Sequence, residues 1–117
     1  MIIWNDKQPI YIQVRQRIID LILSGGAKLN EALPSVRQIS ADLSVNPLTI
    51  TKAYQSLVEL GIVEKRRGLG MFLAKNARKK LLKYEQEKFI NEDWPLIAKQ
   101  IKSLELDISD LINRKNK

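Results

Sequence analysis

The sequence predicts a mainly α-helical chain with one small β-hairpin. Three features carry that prediction. Helix-start signals stand at Ser35 and at Asn46-Pro47, a glycine-punctuated basic stretch runs from Ile62 to Leu73, and apolar residues recur at helical spacing on either side. At 117 residues there is room for one compact domain and a modest appendage. A composition 44% hydrophobic and 28% charged is ordinary for a globular protein, so a folded chain is expected.

Gln8-Pro9-Ile10 opens the first helix, proline being suited to a first helical position. Tyr11, Val14, Ile18, Leu21 and Ile22 form its apolar stripe, Arg15, Gln16 and Asp20 lie off it, and Ser24-Gly25-Gly26 ends it. The connector from 26 to 34 has room for a short strand at Glu31–Leu33. Ser35-Val36-Arg37-Gln38 is a capping-box pattern that starts a second helix, with Val36, Ile39 and Leu43 on its packed side and Arg37 on its outer first turn. After the turn at Ser44-Val45, Asn46 is a suitable cap and Pro47 a suitable first residue for a third helix. Ile50, Ala53, Tyr54, Leu57 and Leu60 are expected to face inward. Thr49, Thr51, Lys52, Gln55 and Ser56 remain outside, with Asn46 and Leu48 at the leading end, and this face carries no acid before Glu59.

Gly61 closes the third helix. Ile62–Arg66 and Met71–Leu73 read as two strands around the tip Arg67-Gly68-Leu69-Gly70. Beyond Leu73 the period is helical again, through Leu81, Leu82, Phe89, Ile90, Trp94, Ile97, Ala98, Ile101 and Leu104. Pro95 interrupts this run. The apolar stripe keeps its phase across the proline, which favours one kinked helix over a second helix capped by Asn91 or Asp93. Asp107 is the expected cap of a final short helix carrying Ile108, Leu111 and Ile112, and the tail Arg114-Lys115-Asn116-Lys117 is expected to fray.

Twenty basic against thirteen acidic residues give a net charge of +7, which favours a polyanionic partner, either nucleic acid or an acidic membrane surface. The excess is distributed, with 10 basic and 6 acidic residues up to position 75 and 10 and 7 after it. Cysteine and histidine are absent, so disulfides, thiolate nucleophiles, imidazole bases and Cys/His zinc sites are excluded. No enzyme, metal or cofactor is expected. The first six residues lack the basic and long apolar parts of a signal peptide, and no apolar run reaches the ~18 to 20 residues that span a bilayer. A cytoplasmic protein without a membrane partner is expected, since Glu85, Glu87, Glu92 and Asp93 oppose a membrane-surface role for the C-terminal stripe.

A short helix, a tight turn, a longer helix with a polar outer face and a basic hairpin together suit DNA, the second helix entering a groove and the hairpin lying beside it. Small hydroxyls and amides approach phosphates and base edges closely, and a threonine or leucine methyl meets a thymine methyl. A tip with arginine suits a phosphate backbone or a narrow minor groove. The segments PIYIQV, LPSVRQIS, VNPLTITKAYQSLVELG and EKRRGLGMFL resemble the GntR family of bacterial transcription regulators, and within it the small YtrA-like subfamily. The resemblance covers essentially the whole chain. It implies a winged helix-turn-helix DNA-binding domain over residues 1–75 and a short all-helical, two-helix dimerisation domain over residues 76–117. It also implies a homodimeric regulator, usually a repressor, often encoded beside transporter genes.

On this reading the DNA-binding residues are Ser35, Arg37, Asn46, Leu48, Thr49, Thr51, Lys52, Lys65, Arg66, Arg67, Gly68 and Gly70. The dimerisation residues are Leu82, Phe89, Ile90, Trp94, Ile97, Ile101, Leu104 and Leu111. The sequence departs from the family at Pro47 and Thr51, where other branches place arginine, at Asn30-Glu31 in the connector, and at Leu69, where a basic residue is frequent. About forty residues after the wing are too few to enclose a metabolite pocket in one protomer. An effector small molecule could still bind at a dimer interface, and no residue points to one. The competing expectation is a winged-helix protein-interaction module, which calls for an acidic or apolar recognition face and a trimmed wing.

Overall fold

The computed structural model describes residues 4–114, so the expected fraying of Lys115, Asn116 and Lys117 lies outside the described residues. The chain divides into two compact units, one up to Leu82 and one from Lys83. In the first, α1 (Ile10–Leu23), α2 (Val36–Leu43) and α3 (Pro47–Glu59) are followed by an antiparallel hairpin of β1 (Val63–Arg66) and β2 (Gly70–Leu73). The helix α4 (Ala77–Lys88) starts in this unit and runs into the second.

The packing of the first unit follows its apolar periodicity. Val14, Ile18, Ile19 and Ile22 of α1 meet Ile50, Ala53, Tyr54 and Leu57 of α3, and Ile62, Val63 and Leu73 of the hairpin close the same core. Fully burying a side chain of this size contributes roughly 1.5–3 kcal/mol. Ile19, off the expected stripe, is buried, whereas Leu60 is exposed where an inward position was expected. Leu60 is the C-cap of α3, and the chain leaves the helix there before the stripe completes another turn. Val36, Ile39 and Leu43 lie at the edge of the core, half-buried, because α2 is short and covers one side of the pair formed by α1 and α3.

The start signals act nearly as expected. Pro9 sits at the N-cap of α1, one residue before the helix, with the extended ψ of 147°. Ser35 and Gln38 form the full capping box, and the Asn46 side chain accepts from the Leu48 N–H at 2.9 Å. The expected strand at Glu31–Leu33 shrinks to a single bridge, Ala32 opposite Phe72, with the Leu33 N–H donating to the Met71 carbonyl at 2.8 Å. Pro34 follows at once and ends any ladder, since it lacks a backbone donor. The fully buried Tyr54 donates its hydroxyl to the Pro34 carbonyl and so ties the centre of α3 to the segment that leads into α2. Burial pushes its phenol pKa well above the usual value.

The core extends past the hairpin. Ala77 and Leu81 of α4 are buried in it, and the Arg78 guanidinium donates to the Leu23 carbonyl at 3.3 and 3.2 Å, capping the C-terminal end of α1 with a cation.

The second unit contains the rest of α4, a π-helical turn at Phe89–Asp93, α5 (Trp94–Ser103) and α6 (Ile108–Asn113). The backbone stays in the right-handed helical region at Lys88, Asp93 and Trp94, so the helix passes Pro95 unbroken. A proline ring crowds the carbonyl four residues back, and widening the preceding turn relieves it. The Trp94 N–H accordingly donates to the Phe89 carbonyl five residues back. This turn also brings the Phe89 and Trp94 rings together, centroids 6.5 Å apart. Asp107 caps α6, accepting from the backbone N–H groups of Ser109 at 2.7 Å and Asp110 at 3.3 Å. No described residue of this unit is buried.

Candidate nucleic-acid interface

The leading turns of α3, the start of α2 and the hairpin tip provide the candidate surface. Ser40 fixes the angle between α2 and α3. Its hydroxyl donates to the Val45 carbonyl at 2.6 Å, its own carbonyl accepts the Val45 N–H at 3.2 Å, and Ser44 between them adopts a left-handed φ of 54°. Helical periodicity does not single out Ser40, because the role lies in closing the turn.

Ser35 and Arg37 are exposed at the start of α2. The Ser35 oxygen accepts from the Gln38 N–H at 3.0 Å, which leaves its hydroxyl proton available to an outside acceptor such as phosphate. On α3, Asn46, Leu48, Thr51 and Lys52 are exposed and Thr49 is half-buried. Leu48 is 76% exposed, an unusual position for a large apolar side chain that a thymine methyl would suit. The Thr51 hydroxyl donates back to the Pro47 carbonyl at 3.0 Å, so Thr51 presents its methyl group and acceptor lone pairs, not a free donor. Ser56, expected outside, is half-buried and donates to the Ala53 carbonyl at 2.7 Å.

The hairpin separates its three cations. Glu64 pairs across the ladder with Phe72, and strand alternation puts Arg66 on the same face. There Arg66 forms an ion pair with Glu64 at 2.8 Å and lies over the Phe72 ring at 4.2 Å. Lys65 points to the opposite face, opposite Met71, and is exposed. Arg67 is exposed in the tip, where Gly68 and Gly70 take φ of 77° and 115°, values that β-carbon-bearing residues rarely adopt. The Leu69 N–H closes the tip on the Arg66 carbonyl at 2.9 Å, and its side chain is 69% exposed. Of the expected wing cations, Lys65 and Arg67 are therefore presented outward and Arg66 is held back. The Glu64–Arg66 spacing of two was the sequence signal for that pair.

Tyr11 joins this surface from α1. The Lys52 ammonium lies 4.1 Å from its ring centroid, and both line a cleft with Leu48, Thr51 and Gln55. The sequence places Tyr11 only on a packing stripe.

The residues expected to dimerise fall in both units. Leu82 is partly exposed at the end of the first. In the second, Trp94, Ile97, Ile101 and the C-cap residue Leu104 follow at three- and four-residue spacing along one stripe of α5, and the Phe89 ring lies tilted beside that of Trp94. Phe89, Ile90, Ile97, Leu104 and Leu111 are all exposed.

Residues 10–73 match the family model described as bacterial regulatory proteins, gntR family. The HTH-type transcriptional repressor YtrA of Bacillus subtilis is 35% identical over 103 residues, spanning 88% of this chain and 73% of that protein. A GntR family transcriptional regulator from Listeria monocytogenes superposes with a TM-score of 0.75 at 30% identity, covering 93% of this chain and 94% of that one. AraR(DBD) in complex with operator ORR3 matches with a TM-score of 0.57 at 27% identity, over 63% of this chain and 89% of that one.

Proposed function

Since this chain belongs to the gntR family of bacterial regulatory proteins, we propose that two copies of it read an inverted-repeat operator in double-stranded DNA. It is a transcription regulator with a winged helix-turn-helix unit. The observation that carries the DNA reading is the acid-free leading face of α3, set by the Ser40 turn beside a hairpin that presents Lys65 and Arg67. The likeness to AraR(DBD) in complex with an operator supports it. Arg37, Lys52, Lys65 and Arg67 supply phosphate contacts with Ser35 and the Gly68–Gly70 backbone, and Asn46, Leu48, Thr49 and Thr51 meet base edges. Arg66 stiffens the wing.

The second copy covers the stripe of Phe89, Ile90, Trp94, Ile97, Ile101, Leu104 and Leu111, exposed except for the half-buried Trp94 and Ile101, because a single helical layer cannot bury its own apolar face. The 1–75 and 76–117 segments act as reader and dimeriser, with Ala77 and Leu81 rooting the second segment in the core of the first. The repressor name of the YtrA relative supports repression as the output, and control of a transporter operon is the pathway proposed. The protein works in the cytoplasm and performs no catalysis; among the described residues no helix is long and apolar enough to cross a membrane. An interaction module would need an acidic or apolar recognition face and a trimmed wing. The polar α3 face and full hairpin favour DNA.

Selection on random DNA at near-physiological salt tests this. A palindrome with half-sites about one helical turn apart, ~34 Å, is expected. With roughly four phosphate-contacting cations per protomer, log affinity falls against log salt with a slope near about −7. Equal affinity for scrambled DNA, or a nearly flat salt response, refutes the assignment.

A further inference from the structure

The first turn of α1 lies outside the helix–turn–helix and the hairpin, yet it reaches the candidate interface through one side chain. Tyr11 is half-buried. It packs against the core and carries the Lys52 ammonium 4.1 Å from its ring centroid. Among the described residues Lys52 makes no ion pair, so the ring is the group that orients it. Glu59, the nearest acid along α3, lines the same cleft seven residues further on.

From this geometry we propose that Tyr11 is a positioning residue for DNA binding, its ring holding the Lys52 ammonium at the outer surface of α3 for a backbone phosphate. The inference rests on the DNA-reading assignment above. A lysine is a compact charge on a long stem that loses rotamer freedom when its ammonium is fixed. An electron-rich ring face beneath the cation limits that freedom before DNA arrives and leaves the outward side of the ammonium open to a phosphate.

The ring itself is well anchored. The Gln13 side chain, two residues on, clamps the segment entering α1: it accepts from the Asn5 N–H at 2.7 Å and donates to the carbonyls of Asn5 at 2.6 Å and Gln8 at 3.0 Å. Tyr11 therefore sits in the first turn of a helix fixed on both sides, by this clamp and by the core.

The test is a double-mutant cycle on the full chain, read by fluorescence anisotropy with the site recovered from random DNA, at several salt concentrations. Tyr11→Phe keeps the ring and is expected to bind within about twofold of the parent. Tyr11→Leu and Lys52→Met are each expected to weaken binding about two- to fivefold per protomer, and the double variant to bind no worse than Lys52→Met alone. Lys52→Met should lose about 0.9 of the salt slope per protomer, the signature of one phosphate contact, and Tyr11→Leu should lose no more than that. Tyr11→Met serves as a second ring-less variant, so a folding defect in Tyr11→Leu does not carry the result. Losses that multiply in the double variant overturn the proposal. So does a Tyr11→Phe variant as weak as Tyr11→Leu, which would assign the role to the hydroxyl. If the parent enriches no DNA site, this inference falls together with the DNA reading. If it enriches a site and the losses multiply, only the role of Tyr11 falls.

Discussion

The unit up to Leu82 and the unit from Lys83 treat their apolar residues in opposite ways. Among the described residues the first closes over fifteen apolar ones, drawn from its helices and its hairpin. In the second, Phe89, Ile90, Leu96, Ile97, Leu104 and Ile112 remain in solvent, although the same helical spacing organises them. Periodicity makes an apolar face; only a second layer buries it. The first unit contains its second layer, and the second unit calls for one from outside. This contrast supports the pairing of two copies proposed above.

The comparison breaks most decisively at Leu57. Truncating this fully buried side chain to alanine should cost about 2–5 kcal/mol, enough to unfold the first unit of a marginally stable protein and abolish DNA binding together with its thermal transition. Ile97→Asp probes the other side. A charge on the exposed stripe should leave the first unit's thermal transition in place while sedimentation shows monomers. Affinity for a two-half-site operator should fall on the order of a hundredfold, because the second half-site is no longer bound intramolecularly. Dimers that persist in this variant would remove the stripe from the interface.

Tyr54→Phe sharpens the picture of the first unit. Loss of the hydroxyl bond to Pro34 should cost about 1 kcal/mol near neutral pH. Burial raises the Tyr54 pKa above its ordinary 10.0, so the folded state holds this proton more tightly than the unfolded chain. The associated stability is intact below pH 10 and declines as pH rises beyond it. Denaturant melts at high pH should therefore show a steeper alkaline decline in the parent than in Tyr54→Phe. The smallest effect belongs to the second unit, where Asp107→Ala removes the cap of α6. It should cost about 1 kcal/mol or less, seen as faster amide exchange at Ser109 and Asp110 without a change in the first unit.

Much of the fold was legible because its signals are local. The Ser35–Gln38 box and the Asn46-Pro47 start can be read from a few adjacent residues, and the tip glycines announce the turn that the structure contains. What escaped the sequence depends on distance along the chain. Tyr54 bonds a carbonyl twenty residues away, Arg78 caps a helix fifty-five residues back, and Tyr11 meets Lys52 only once α1 and α3 have packed. Leu60 was misplaced by extending a helical stripe past the point where the chain leaves it. The π-helical turn before Pro95 belongs between the two classes. The proline signals trouble for a regular helix, but its position does not say whether the helix breaks, bends or widens. For the wing, the sequence gathers three cations into one stretch and leaves open which of them are spoken for. Arg66 answers that only through the alternation of its strand and the placement of Phe72.

The tethered Arg66 also bears on how such a protein finds its operator. Each phosphate contact withheld lowers retention on random DNA by about fivefold at ~0.15 M salt, taking a slope of 0.9 per contact from a 1 M reference. On the DNA contacts proposed above, pairing of Arg66 with Glu64 leaves the wing two outward cations where its sequence run has three, and the wing would grip any duplex more lightly. A lighter grip on wrong sequences would shorten dwell times there and let the protein sample more of the chromosome per unit time. Discrimination would then rest with the short side chains of α3, and a short internal ion pair would trade holding power for search speed.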